Sequence, residues 1–427
     1  MKNSKLKRTW QHLRRPVSGQ KGMALFIAMV TIVLIMYLTM EVTYETSVDY
    51  IVNAQVVNKL KARYAAKAGL EISLLRIKIF QQAQAALGKS MGSSAAMLDE
   101  IWQFPLAWPP VLPDETNKID KDAVKKIVNE SSMQASWRAD IKDEGSRIDI
   151  NDLASPSEQL RKSTREQLEN IFKSKIEDDE EWSKDNRDFP YKEILNNITD
   201  WLDKDSVTIE NQAEESSIYK GAKGLPPNRN FRTIDEIRLV KGVTDEFFDV
   251  IAPRITIYGM KGINPNYAPK EVLMSLDVQV KEEIAQKIIE RRDDPNLGPF
   301  EKAQDFWDFL DTLNVRIDDD VKKKIPIITD SVQNFRIIST GYFGSGDKII
   351  TSEIVAIVYD IDKIGTRVGK LMKEEETAKN PPPAGATGPT PGKTGADGTT
   401  PGGDSGSSDK QSEVAKGPPR IVYYSEK

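Results

Sequence analysis

A short acidic stretch contains the side chains of this chain that are best suited to chemistry. The candidate ligands are Asp200, Asp203, Asp205 and Glu214, with Glu215 and Asn228 as additional candidates. Calcium takes about six to eight oxygen ligands from carboxylates and backbone carbonyls, and a cation here would relieve the repulsion between neighbouring acids. The spacing is not that of an EF-hand loop. The pattern alone therefore favours a solvated acidic loop in which one Asp caps a helix.

The composition excludes several other kinds of chemistry. The 427 residues include no cysteine and a single histidine, His12. His12 lies in a short basic leader, so a chain without that leader has neither a thiol nor an imidazole. This excludes cysteine nucleophiles, histidine general bases and Cys/His zinc sites. Paired carboxylates can hydrolyse glycosides, but nothing in the sequence indicates a sugar-binding cleft. We therefore predict that the chain is not an enzyme.

The N-terminus combines a basic leader with a long apolar run. Residues 1–22 include seven of the 60 Lys and Arg residues and no acid, so the remainder has 53 basic and 65 acidic residues, a formal charge of −12. Residues 23–40 are 18 residues without a charge, roughly 27 Å as a helix, which is enough to cross a bilayer core. The charge asymmetry predicts a single-pass inner-membrane protein with a cytoplasmic N-terminus and a periplasmic body. The alternative is a secretory signal peptide, which usually has a shorter apolar run ending in small residues.

The elements that must position the acidic stretch follow from two periodicities. Apolar residues recur at three- or four-residue steps over 41–87, which predicts that the membrane helix continues as a stalk. Alternation over 133–142 and 147–151 predicts a hairpin around Glu144-Gly145, and 334–342 with 348–360 predicts a second strand pair. We therefore predict an α+β fold with a long N-terminal helix packed on an antiparallel sheet. A large helical insertion lies between the two strand pairs.

The predicted insertion contains two segments that look like SAM-like or helix-hairpin-helix units. The first is 233–251, with a turn at 240–243, and the second is 269–310. Such hairpins bind DNA when their turn amides meet phosphate and basic residues flank them. Acidic residues flank both units, and the second lacks a hairpin glycine. We therefore predict packing modules and no nucleic-acid partner.

The C-terminal region has the composition of a flexible tail. Residues 380–419 are rich in Pro, Gly, Ser and Thr and contain almost no large apolar side chain. The final residues Ile421-Val422-Tyr423-Tyr424 have strand character, which is compatible with docking on a partner or on a sheet edge, or with no structural role.

The predicted organisation is a leader at 1–22, a transmembrane part at 23–40, a stalk at 41–87, first strands at 88–155, a helical insertion at 156–330, last strands at 331–362 and a flexible tail at 363–427.

Several segments together resemble one family of bacterial secretion proteins. Lys21-Gly22, followed directly by Met23 and an uninterrupted apolar helix, resembles the class III prepilins. The segments 62–71, 143–153, 199–205 and 263–269 resemble the general secretion pathway protein K family, the large minor pseudopilin of type II secretion systems. Most pilins have a glutamate as the fifth residue of the mature chain. This chain has Ile27 there, and the absence of that glutamate is typical of the K family.

The resemblance implies a processing site, a metal and a function. Prepilin peptidase would cut the Gly22–Met23 bond on the cytoplasmic side, and the new amino group of Met23 would be methylated. The acidic stretch would bind structural calcium through Asp200, Asp203, Asp205 and Glu214. The chain would be a minor pseudopilin at the tip of the type II secretion pseudopilus, where it initiates filament assembly and takes part in protein export across the outer membrane. Its partners would be the other minor pseudopilins, the major pseudopilin, prepilin peptidase and the inner-membrane assembly platform, with secreted cargo as a further candidate.

Two other functions are compatible with the sequence. The first is a minor pilin of a type IV pilus, which shares the leader and the long helix. The second is a membrane-tethered DNA-binding protein of a DNA-uptake apparatus, which would use the two helix-hairpin-helix-like units. The acidic body argues against the second function, since phosphate binding needs a basic face.

Overall fold

The structure, a computed structural model, describes six stretches of the chain. These are residues 21–91, 97–110, 118–219, 224–294, 296–379 and 419–427. The predictions made for the leader before residue 21 and for the tail between 380 and 418 lie outside the described residues.

A single helix, the stalk helix Lys21–Met91, forms the N-terminal part of the structure. It contains 71 residues and no proline, so it extends for roughly 105 Å at about 1.5 Å per residue. Among the described residues, it is the one helix long and apolar enough to cross a membrane, and its apolar window is not buried in protein. This agrees with the predicted continuous membrane and stalk helix and indicates a single-pass membrane anchor.

A five-stranded antiparallel sheet packs on the C-terminal half of the stalk helix. Its strands, in spatial order, are β1 (Leu106–Trp108), β2 (Ser136–Asp143), β5 (Phe335–Phe343), β6 (Ile350–Val358) and β7 (Ile421–Glu426). Buried and half-buried residues alternate along β5, and this period of two turns one face towards the helix. The α+β class and the second strand pair, β5 with β6, are confirmed.

The predicted first hairpin is wrong. Strand β2 ends at Asp143 and pairs with β1 and β5, in the register Asp143↔Phe335. The next residues form β3 (Ile148–Asp149), which pairs in parallel with β4 (Ile255–Thr256) in a separate sheet. The Asp143 carboxylate accepts hydrogen bonds from the backbone N–H groups of Gly145 and Ser146, and this turn directs the chain away from β2. The partners of β2 are therefore the preceding strand β1 and the distant strand β5, and not the segment that follows it.

Small residues bring the stalk helix very close to the sheet. Ala62 and Ala66 are fully buried where the helix crosses β5. The Ser339 hydroxyl of β5 donates a hydrogen bond of 2.7 Å to the Ala66 carbonyl oxygen. A Cβ atom on Gly341 would lie 1.9 Å from the Ala62 carbonyl oxygen and 2.5 Å from the Ala66 nitrogen. Only glycine fits at this crossing point, because any side chain would collide with the helix backbone.

A helical domain is inserted between β2 and β5. Its helices are Glu158–Asp178, Glu180–Asp185, Tyr191–Leu202, Asp245–Ile251, Lys270–Leu273, Glu282–Asp293, Ala303–Thr312 and Asp319–Lys324, with short 3-10 helices at Ile150–Ala154, Glu215–Ile218 and Ile234–Leu239. The helices Glu100–Gln103 and Lys118–Glu130 precede it in the chain. Its core contains the buried aromatic residues Phe172, Trp201 and Phe247. This domain has its own hydrophobic core, separate from the core between the stalk helix and the sheet.

The described ends of the predicted tail are structured, so the prediction of a flexible tail is wrong for residues 363–379 and 421–426, whereas the alternative that residues 421–424 dock on a sheet edge is confirmed. After β6 the chain forms the helix Ile361–Lys379, and Ile421–Glu426 forms the edge strand β7. In the helix, the Glu375 carboxylate accepts hydrogen bonds from the backbone N–H groups of Glu158 and Gln159. This helix therefore caps the first long helix of the insertion, a contact between residues distant in sequence.

Replacing Gly341 by alanine is expected to lower the free energy of unfolding by about 1–3 kcal/mol, since the new Cβ must push the stalk helix away from β5. The matched control is Gly365→Ala in the helix Ile361–Lys379, where a Cβ meets nothing within 4 Å. The control should raise stability by up to about 1 kcal/mol, because alanine is the better helix former. Denaturant titration of the detergent-solubilised chain measures both. Equal stabilities for Gly341→Ala and the unchanged chain would contradict the close approach.

Candidate metal centre

The candidate metal centre is built on the end of the helix Tyr191–Leu202. One face of this helix is buried through Ile194, Ile198 and Trp201. The Trp201 ring stacks on Phe231, with ring centroids 6.1 Å apart. Because the helix is fixed by this apolar face, Asp200 in its last turn is held at a defined position. Asp203 follows directly as the C-cap residue.

A short loop brings a third acid back to this helix end. Val207 and Glu214 form an antiparallel bridge, and the backbone N–H of Thr208 donates a 2.9 Å hydrogen bond to the Ala213 carbonyl oxygen. Gln212 closes the turn with a φ of 58°. Glu215 comes next, and its backbone N–H donates to the Ser206 carbonyl oxygen at 3.2 Å. The loop therefore returns the chain to the helix end at Glu215.

Three carboxylates converge at this point. One oxygen atom from each of Asp200, Asp203 and Glu215 lies within 4.8 Å of the other two. Asp200 is 3% exposed and Glu215 is 1% exposed. Each of the three carboxylates also has a buried oxygen atom without a hydrogen-bond partner. Among the residues that the structure describes, no Lys or Arg side chain forms a salt bridge with any of them. Buried unpaired carboxylates are costly, so the arrangement is suited to a cation.

Burial and mutual repulsion change the acidity of all three groups. Burial raises the pKa of Asp200, and the charges of Asp205 and Glu210 add to the effect. Burial, with the charges of Asp205 and Asp200, raises the pKa of Asp203 to about 6. Burial is also the main cause that raises the pKa of Glu215 to about 7. These carboxylates therefore bind protons more readily than exposed acids do, whereas a bound cation would favour the ionised forms.

The structure unites some of the candidate ligands but not all. Asp200 and Asp203 belong to the group. Asp205 is exposed, and its carboxylate accepts a 2.9 Å hydrogen bond from the backbone N–H of Val207. Glu214 is also exposed and accepts a hydrogen bond from the Ser216 hydroxyl, so it does not join the group. Glu215, which the sequence analysis named only as an additional candidate, is the third carboxylate of the group, where Glu214 was predicted.

Asn228 forms the remaining side of the group. Its side-chain amide donates a 3.1 Å hydrogen bond to the Glu215 carboxylate and a second hydrogen bond to the Asp205 carbonyl oxygen. Asn228 has a left-handed backbone with φ of 47°, a conformation that asparagine tolerates better than most residues. The site thus offers three carboxylates and nearby backbone carbonyl oxygens, which are the hard oxygen ligands that calcium prefers, with the Asn228 amide beside them.

The turn of the first helix-hairpin-helix-like unit lies beside this site and is used for packing. Gly242 adopts a φ of +87°, and a Cβ there would lie 3.2 Å from the Ile194 side chain. The Lys241 backbone N–H donates to the Tyr219 hydroxyl at 3.3 Å, and its carbonyl oxygen accepts from Asn197. The turn amide of Lys241 is therefore engaged within the protein.

The predicted processing site lies at the other end of the molecule. Gly22 and Met23 are in the first turn of the stalk helix, where both are exposed. A Cβ on Gly22 would meet nothing within 4 Å, and the Met23 side chain is 62% exposed. No other described part of the chain therefore packs on the side chains at the Gly22–Met23 bond.

Comparisons with known proteins place the helical insertion in one family. Two family models, both described as type II secretion system (T2SS) protein K, match residues 146–260 and 263–325. Together they span the helical insertion, including Asp200, Asp203 and Glu215. No curated protein sequence matches the chain. A chain of the crystal structure of the GspK-GspI-GspJ complex from the enterotoxigenic Escherichia coli type 2 secretion system is similar, with 19% identity and a TM-score of 0.40 over 54% of this chain and 77% of that chain. The two segments, residues 146–260 and 263–325, are thus similar to type II secretion system protein K.

Proposed function

We propose that this chain is a minor pseudopilin at the tip of a type II secretion pseudopilus, where it initiates filament assembly and takes part in protein export across the outer membrane. It is anchored in the inner membrane by the stalk helix, with the basic leader in the cytoplasm and the body in the periplasm. The similarity of residues 146–260 and 263–325 to type II secretion system protein K supports a structural subunit of this machine rather than an enzyme.

The observation that carries the proposal is an apolar surface on the stalk helix beyond the length that lipid can cover. A helix crosses the bilayer core in about 20 residues. Ile51, Val52 and Val56 lie well beyond the predicted membrane segment, yet their side chains are 56%, 51% and 63% exposed. The body begins to cover the helix only near Ala62. Large exposed apolar surfaces mark interaction sites, so the stalk helices of other pseudopilins would cover this one in a filament.

The tip position rests on the residue at the start of the helix. If prepilin peptidase cuts the Gly22–Met23 bond, Ile27 is the fifth residue of the mature chain. An isoleucine cannot offer a carboxylate to the amino terminus of a subunit above it. A subunit of this kind is suited to the end of the filament, beside the other minor pseudopilins. The major pseudopilin would continue the filament below, above the inner-membrane assembly platform, and the body would face the secreted cargo.

We also propose that Asp200, Asp203 and Glu215 bind a structural calcium ion. The support is the convergence of three carboxylates with unpaired buried oxygen atoms. Calcium would compensate their charge, and a rotation of the Asn228 amide plane would present its oxygen atom to the ion. The ion would fix the loop to the end of the helix Tyr191–Leu202 and so stabilise the insertion.

Introducing a charge on the exposed stalk surface is expected to block export. Val52→Glu leaves the membrane segment and the body intact but buries a carboxylate between stalk helices, at an expected penalty of about 3 kcal/mol or more. In a strain that lacks the native chain, the amount of exported protein should fall to the level of the empty strain. Gln55→Glu is the control, because it adds the same charge at a polar position of similar exposure, and it should preserve export. Normal export by Val52→Glu at normal protein level would contradict the filament role.

Intact-mass measurement in the same strains should show an N-terminus at a methylated Met23.

Calcium is expected to raise the melting temperature of the chain by several degrees. A ligand at roughly 100-fold its Kd stabilises by about 2.7 kcal/mol, and a domain of this size gains about 2–4 °C per kcal/mol. Glu215→Gln should abolish most of this effect, whereas Glu214→Gln, one residue away and exposed, should retain it. Calorimetry with calcium, and with a chelator, measures the difference. A larger loss in Glu214→Gln than in Glu215→Gln would show that the ligands are arranged differently.

The calcium effect is expected to depend on pH. The pKa of Asp203 is raised to about 6 and that of Glu215 to about 7, so without a cation the folded state binds these protons more tightly than the unfolded state. Stability of the calcium-free chain should therefore fall as pH rises from about 4 through 7, and the destabilisation is complete above that range. The rise in melting temperature caused by calcium should be larger at pH 8 than at pH 5.5, where protons compete for the oxygens. Equal calcium effects at both values would contradict ligation by these groups.

A further inference from the structure

The C-terminal strand β7 is an edge strand whose side chains contribute little to its attachment. None of the residues 419–427 is buried, and Ile421, Val422 and Tyr424 are 39%, 38% and 46% exposed. By contrast, four residues of β5 and five of β6 are buried. The strand thus completes the sheet without adding a side chain to its core.

Backbone hydrogen bonds attach β7 to β6. The backbone groups of Glu353 and Lys427 exchange two hydrogen bonds, of 2.9 and 3.2 Å, and the Tyr359 N–H donates to the Arg420 carbonyl oxygen at 3.3 Å. The pairing is antiparallel, with a register shift between Ile357 and Val358. Any extended peptide can form such backbone bonds, which is the basis of recognition by strand addition.

One side chain of β7 makes a specific contact with the stalk helix. The Arg63 guanidinium forms two contacts with the Glu426 carboxylate, at 2.7 and 3.1 Å. The hydrogen bond and the charge of Arg63 hold the pKa of Glu426 below its ordinary value, and Lys67 adds to the positive charge nearby. A paired fork of this kind recognises a carboxylate by geometry as well as by charge. The contact joins Glu426, near the C-terminal end of β7, to the stalk helix.

The composition of β7 differs from that of a strand that only blocks an edge. Protective edge strands often carry lysine or proline, and neither occurs in β7, although its pairing with β6 includes one register shift. Apart from its last residues, β7 is Ile421-Val422-Tyr423-Tyr424, with apolar side chains exposed on its surface. The strand is joined to the helix Ile361–Lys379 only through residues 380–418, so its attachment to the sheet depends on its own contacts and on the effective concentration that this linker sets.

We propose that the β6 edge is a peptide-binding site, which the chain fills with its own C-terminal strand as an exchangeable ligand. The partner is an extended segment of another protein subunit, with apolar residues at successive strand positions and an acid near its C-terminal end that reaches Arg63. Release of β7 exposes the outward backbone groups of β6 and the Arg63 guanidinium together, so the partner's strand takes the same register. This inference does not depend on the secretion function or on calcium.

A peptide-binding measurement tests the proposal directly. The full chain and a variant ending at Pro418 are prepared in detergent, and a fluorescent peptide of residues 419–427 is titrated into each. The shortened chain should bind the peptide at least tenfold more tightly than the full chain, whose own strand competes. The peptide with Glu426→Lys should lose at least tenfold in affinity, whereas the control peptide with Ser425→Ala should bind as the unchanged peptide does. Equal weak binding to both chains, with an unchanged circular dichroism spectrum of the shortened chain, would overturn the proposal.

Hydrogen exchange on the intact chain provides a second test that does not depend on the stability of the shortened variant. The amide of Glu353, which bonds to Lys427, and the amides of β7 should exchange at least a hundredfold faster than those in the centre of β5. Exchange of β7 at the same rate as β5 would show that the strand leaves only on global unfolding, and would overturn the proposal. Dimers of the full chain that disappear on truncation at Pro418 would support the site and identify a second copy as a donor of the strand.

Discussion

The structure depends on how closely the stalk helix can approach β5. Interhelical and helix–sheet distances are usually set by side chains, but here the Ala62 backbone lies where the side chain of residue 341 would be, and that residue is Gly341. Ser339 adds a hydrogen bond from the sheet to the Ala66 carbonyl oxygen. The C-terminal half of the helix is therefore fixed on the sheet by backbone contact. A displacement of the apolar N-terminal half is transmitted to the sheet, because the contact leaves no room for the helix to shift. This rigidity is what a filament subunit needs, since the position of the body follows from the position of the rod.

The insertion is joined to this rigid unit by buried charged groups rather than by apolar packing alone. The Glu144 carboxylate, fully buried, receives two hydrogen bonds from Arg336 of β5, at 2.6 and 2.7 Å, and one from Thr256 of β4 at 2.6 Å. Within the insertion, the Lys261 ammonium bridges Asp149 and Asp152 at 2.5 and 2.9 Å. Such pairs add little net stability compared with apolar residues, but they are intolerant of displacement because separation leaves a buried charge unpaired. The Glu144 contacts therefore define the orientation of the insertion on the sheet, and the Lys261 contacts hold its first segment in place. The acidic group at Asp200 differs from both, because no Lys or Arg side chain in the described part of the chain forms a salt bridge with it.

The sequence predicted those parts of the fold that follow from local periodicity. Apolar residues recur at three- or four-residue steps along the stalk helix and alternate with polar residues along the strand pair β5–β6. Both elements are confirmed. The first hairpin was wrong because alternation identifies a strand and not its partner, and the partner of β2 is separated from it by the whole insertion. The helix Ile361–Lys379 was missed because its contacts, such as Glu375 with Gln159, are likewise distant in sequence. The tail prediction rested on composition alone and was extended too far at both of the ends that the structure describes.

The choice between Glu214 and Glu215 shows why ligand residues are harder to predict than ligand regions. Both are acids in the same loop, and a sequence motif can align either of them with a ligand position. The bridge between Val207 and Glu214 decides the matter, because neighbouring residues of an extended segment point in opposite directions. With Glu214 in the bridge and exposed, Glu215 must turn inwards towards Asp200 and Asp203. The acidic character of the region is thus a property of composition, whereas the identity of the third carboxylate is a property of the turn that closes the loop.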